Sequence, residues 1–81
     1  MIMAFYVRLL KESEDDQNVI YHFGTHEKKL GRLRLDKTSG IVDELEPAPT
    51  DNCKAFFTRA AVKVRQHWRE RVFPEKSGWA S

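Results

Sequence analysis

The chain has 81 residues, 41% of them hydrophobic and 32% charged, with a formal net charge of +2. That length supports one thin-cored domain and leaves no room for a second, while a single cysteine, Cys53, excludes an internal disulfide and any zinc site built on paired cysteines. The charge is uneven. Residues 1–50 hold nine acids against seven bases (−2) and residues 51–81 three acids against seven bases (+4), so the two halves are expected to present different electrostatic faces.

From Met3 to Lys11 the residues are mostly aliphatic, aromatic or β-branched. Phe5, Val7 and Leu9 fall on one face of a strand, and Tyr6, Arg8 and Leu10 on the other. Ser13 to Asn18 is a polar hairpin loop, and Val19 to Phe23 a second strand with Val19, Tyr21 and Phe23 on one face. The third strand, Leu30 to Leu35, alternates Leu33 and Leu35 inward with Arg32 and Arg34 outward, the pattern of an antiparallel strand with one wet face. Asp36 to Gly40 is a short turn, Ile41 to Glu46 returns as a fourth strand, and Pro47 and Pro49 stop it.

Thr50, Asp51 and Asn52 are candidate N-caps for a helix. Cys53, Phe56, Phe57, Ala60, Ala61, Val64 and Trp68 recur at helical spacing as one apolar stripe, with Lys54, Arg59, Lys63, Gln66 and Glu70 away from it. Pro74 ends the helix near Arg71 or Val72. The expected fold is therefore α+β: a four-stranded antiparallel meander with one C-terminal helix packed on one face. The single domain divides into a sheet over about residues 3–46, a helix over about 52–72 and a tail over 73–81. The expected core is Phe5, Val7, Leu9, Tyr21, Phe23, Leu33, Leu35, Ile41, Phe57, Ala61, Val64 and Trp68.

Candidate chemistry is sparse. His22 and His26 are four apart, but a strand end and a turn do not place them as two ligands on one helical face, so no metal site is expected. Cys53 stands in the first helical turn, and His67, about 20 Å further along a helix, is too distant to serve as its base. No catalytic site and no cofactor are expected. The acids Glu12, Glu14, Asp15 and Asp16 of the first hairpin, with Asp43, Glu44 and Glu46 of the fourth strand, are the candidate partner-binding surface, suited to a basic partner. The bases Arg32, Arg34, Lys63, Arg65, Arg69 and Arg71 form the opposing patch; bases beside aromatics can hold a nucleic-acid backbone, but the small net charge, the interspersed acids and the lack of a helix-turn-helix, zinc-finger or RNA-recognition signature argue against direct nucleic-acid binding. Phe73 and Trp79 are expected to fold back over the open edge of the core, with Trp79 as an exposed anchor the alternative. No run approaches the roughly 18 apolar residues of a membrane span, and the first eight residues lack signal-peptide features; the expectation is a cytoplasmic protein.

Arg59-Ala60-Ala61, His67-Trp68, Phe73-Pro74-Glu75-Lys76 and the closing Trp79-Ala80-Ser81 resemble the ending of small bacterial immunity proteins of the contact-dependent growth inhibition type. The strand-rich first half, with its Asp36 to Gly40 hairpin and Leu45-Glu46-Pro47, is similar in layout. The resemblance implies a cytoplasmic inhibitor that binds a cognate toxin C-terminal domain, often a nuclease, and carries no active-site residues of its own. For a nuclease toxin it implies that the loop and fourth-strand carboxylates meet a basic groove. The mild basicity of this chain departs from the strongly acidic character of many nuclease inhibitors.

Overall fold

The computed structural model describes residues 6–26, 28–49, 51 and 54–80. Five strands and one helix follow in the order β1 (Tyr6–Glu14), β2 (Asn18–Gly24), β3 (Gly31–Asp36), β4 (Val42–Glu46), α1 (Ala55–Glu70) and β5 (Lys76–Ala80). The strands form one antiparallel sheet in the order β4-β3-β2-β1-β5, with α1 across one face. The α+β fold, with a meander of four strands and a helix on one side, is as the sequence predicts.

Side-chain oxygens close the hairpins. The Asp15 carboxylate accepts the N–H groups of Gln17 and Asn18 at 2.8 and 2.7 Å, turning β1 into β2. Asp36 does the same for Thr38 and Ser39, and Gly40 completes that turn at φ 78°, a left-handed conformation that glycine adopts without steric cost. The indole of Trp68 lies against Gly40 and donates its N–H to the Lys37 carbonyl at 2.6 Å, so the helix is docked onto this turn.

The core face carries Val7 and Leu9 of β1, Val19, Tyr21 and Phe23 of β2, Leu33 and Leu35 of β3, Ala60 and Val64 of α1, and Ala48. Each fully buried large apolar side chain contributes about 1.5–3 kcal/mol. Two expectations for the core are corrected. Ile41 is 59% exposed, because the tight turn brings Val42, not Ile41, opposite Leu35 and so sets the inward register. Ala61 is only half-buried, while Ala60 is fully buried, so the centre of the helix stripe lies along Ala60, Val64 and His67. Phe5 and Cys53 lie outside the described residues.

The helix runs from Ala55 to Glu70, within the expected span of about 52–72. Lys54 takes a left-handed φ of 59°, and both Asp51 carboxylate oxygens accept helix N–H groups, from Phe56 and Phe57, at 3.0 Å. A cap of this kind contributes about 1 kcal/mol and offers negative charge to the positive end of the helix dipole. Thr50 and Asn52, the other candidate caps, lie outside the described residues. At the far end Arg71 is left-handed at φ 58°, with its N–H on Trp68 O and the Val72 N–H on His67 O, a Schellman closure three residues before Pro74.

The tail continues as β5, which pairs with β1 from Tyr6↔Ala80 to Leu10↔Lys76. Phe73 and Trp79 pack against the core, which is the folding-back expected of them. Three further bonds tie the turn into β5 to the sheet. The buried Tyr21 hydroxyl donates to Pro74 O at 2.6 Å, the Lys11 ammonium to Phe73 O at 2.9 Å, and the Lys11 N–H to Glu75 O at 2.8 Å. Burial pushes the Tyr21 phenol up to about 12.

Candidate functional site

One sheet face packs on α1, and no described element covers the other. The uncovered face is built from the residues that alternate with the core: Arg8 and Leu10, Ile20 and His22, Arg32 and Arg34, then Asp43 and Glu46. A bulge in β1 places Lys11 opposite Tyr21 and Ser13 opposite Ile20, looping out Glu12 between them. Glu12 thereby reaches across β2 to Arg32 of β3. Its two oxygens accept from Arg32 Nε and Nη2, both at 2.9 Å, and Oε1 lies 2.9 Å from His22 Nε2. Arg32 Nη1 also donates to Glu46 at 2.9 Å, and Arg34 pairs with Asp43 at 3.3 Å. The paired strands thus carry a mixed-charge ladder, with acid meeting base across the rungs.

The seven acids singled out in the sequence do not converge on one surface. Glu12, Asp43 and Glu46 belong to the open face. Glu14 shares the helix side with Val19 and is held by Lys11 at 2.8 Å and Lys37 at 2.7 Å. Glu44 lies opposite Leu33, also on the helix side, and pairs with Lys54. Asp15 and Asp16 stand at the tip of the first hairpin, where Asp15 is committed to the turn. Hydrogen bonds and charge explain the electrostatics. The Arg32 guanidinium, aided by His22, holds the Glu12 carboxyl below the usual carboxylate range, and Lys11 and Lys37 do the same for Glu14. Backbone N–H groups lower Asp15, and Arg32 is raised by its two carboxylates. Pairs this exposed add little to stability; their larger effect is to cancel the charge this face presents.

The basic residues divide likewise. Arg32 and Arg34 are on the open face, alternating with the buried Leu33 and Leu35, whereas Lys63, Arg65 and Arg69 ride on α1 across the sheet. Arg71 stacks its guanidinium over Trp68 at 5.4 Å. They form no continuous patch.

Among the described residues there is no pocket, no group of three metal-ligating side chains, and no helix long and apolar enough to cross a membrane. His26 caps its own turn, its Nδ1 accepting the Lys28 N–H at 3.2 Å, and His22 belongs to the Glu12 cluster.

The residue that sequence reasoning missed is His67. It is 8% exposed, and its Nε2 lies 2.6 Å from the Ser77 hydroxyl, joining α1 to β5. Burial, with the nearby Lys63 charge, lowers its pKa below 6.5, while Glu70 opposes this. The unfolded imidazole takes up a proton near 6.5 and the folded one only at lower pH. The neutral ring therefore supports the fold fully above that value, and its support is lost as pH falls through the folded pKa. Melting curves at about pH 7 and about pH 5 should show a drop in Tm for the parent chain and a smaller one for His67→Gln. Equal drops in the two would show that another group governs this range.

No family model, curated protein or solved structure matches the chain.

Proposed function

We propose that this chain is a cytoplasmic binding protein of the immunity class, which captures and neutralises a cognate toxin domain, a nuclease being the expected kind. The observation that carries the reading is the ending Arg59 to Ser81, with its resemblance to immunity proteins of contact-dependent growth inhibition loci. The place of that ending in the fold supports it. Phe73, Trp68 and Trp79 pack on the core, Pro74 accepts the Tyr21 hydroxyl, and His67 meets Ser77. These residues serve the scaffold and leave the outer surfaces to be matched to one partner, as specificity between related partners requires.

The test is expression in bacteria of the C-terminal domain encoded by the gene next to this one, with and without this chain, followed by capture of the lysate on a tagged copy. Growth arrest that this chain alone relieves, together with a stoichiometric complex, is the expected result. A neighbour that is harmless, or toxic and unrelieved, overturns the reading.

A second reading, nucleic-acid binding, is favoured by the exposed cations of α1. Salt separates the two, because a phosphate-dominated complex weakens steeply by about 0.5 M salt whereas a close-packed protein complex persists.

A further inference from the structure

The fold engages most of its carboxylates internally. Glu12, Glu14, Asp43, Glu44 and Glu46 are ion-paired, and Asp15, Asp36 and Asp51 accept backbone N–H groups. Three cations of α1 are not used in the same way. Among the described residues Lys63, Arg65 and Arg69 enter no ion pair. Val62, Arg65 and Arg69 follow one another at three- and four-residue steps and share one outward stripe, on the opposite side of the helix from Ala60 and Val64. Both arginines are exposed, and Val62 is 56% exposed between the polar Thr58 and Gln66.

From this distribution, and resting on the immunity reading, we infer that the toxin domain docks on the outer stripe of α1, where an acidic patch of the toxin meets Arg65 and Arg69 around Val62. The sign follows from complementarity: with Glu70 off this stripe, the charge that the stripe turns outward is positive, and the matching surface is negative. The class of partner follows from composition. Arginines around an exposed aliphatic side chain are the makings of a protein interface, with an apolar centre and a charged rim. A nucleic-acid duplex calls for a longer row of cations spanning several phosphates, and Arg32 and Arg34, which would extend the row, lie beyond the sheet on its other face. The contact surface thus moves from the carboxylates of the hairpin and β4 to the helix.

The experiment measures binding of the neighbouring gene's C-terminal domain, at about 0.15 M salt, to the parent chain and to two double variants. Arg65→Glu with Arg69→Glu should weaken binding by about a hundredfold or more, and Asp16→Lys with Asp43→Lys by less than about threefold. Circular dichroism melts should leave both variants folded; if the glutamate pair unfolds, Arg65→Gln with Arg69→Gln should still cost about tenfold. Binding that survives the helix variants and falls with the acid variants overturns the docking assignment and leaves the immunity reading standing. Failure of the parent chain to bind that domain removes the immunity reading, and this assignment with it. Salt-sensitive binding of a DNA duplex or transfer RNA that the helix variants abolish, with no binding of the domain, assigns the stripe to nucleic acid instead.

Discussion

Replacing Gly31 by alanine should cost about 2–3 kcal/mol, and for a domain of this size should lower Tm by about 10–20 °C. Gly31 opens β3 opposite Phe23, and the chain leaving β4 crosses directly over it. A Cβ there would stand 2.5 Å from Glu46 O, 2.6 Å from Ala48 N and 2.7 Å from the Phe23 ring. Two of those neighbours are backbone and the third is a buried ring, so none yields without shifting β4 or the core. The cause is space, since Gly31 is not among the positive-φ residues. Gly78 supplies the contrast. A Cβ there would meet first the far end of the Tyr6 side chain, which is 48% exposed and can swing away at the cost of one 3.3 Å hydrogen bond to Ser77 O. Chemical denaturation of Gly31→Ala and Gly78→Ala should separate them clearly. Equal midpoints would show that the 46–48 crossing is looser than the structure describes.

Ending the chain at Glu75 should have a still larger effect, removing about 3–5 kcal/mol and leaving a domain of marginal stability. The loss combines several contacts. Trp79 leaves the core margin and its stacking partner Arg59, 5.0 Å away; Ser77 leaves His67; and β1 loses its five-residue pairing with β5. Val7 and Leu9, fully buried in the intact fold, would then sit on an edge strand. Urea titration followed by tryptophan fluorescence reports the change, since Trp68 remains. A truncated chain that melts within a few degrees of the parent would mean that β5 is an accessory strand.

Where the fold was legible in the sequence, the reason is period. Leu33 and Leu35 alternate with Arg32 and Arg34, Val19, Tyr21 and Phe23 alternate with Ile20 and His22, and both sets alternate in burial. The spacing of Ala60 and Val64 marks the helix face in the same way. β5 carries no such signal. Lys76-Ser77-Gly78-Trp79-Ala80 has no β-branched residue and includes a glycine, and its strand conformation is imposed by the open edge of β1. Ile41 failed for a related reason: turn geometry, not hydrophobicity, decided which residue of β4 faces inward. The candidate acids failed to gather because pairing is tertiary. That Glu12 would reach Arg32 depends on a bulge and on β2 lying between β1 and β3, and composition encodes neither. His67 was hidden by its polarity, since a histidine on the buried helix face is recognisable only once Ser77 comes opposite it.

The bulge that loops out Leu45 between Glu44 and Glu46 leaves a short, kinked and heavily acidic margin on the sheet. A second molecule aligning its own β4 against this one would meet an interrupted ladder along an uneven seam. Such an arrangement opposes runaway strand-to-strand stacking between copies.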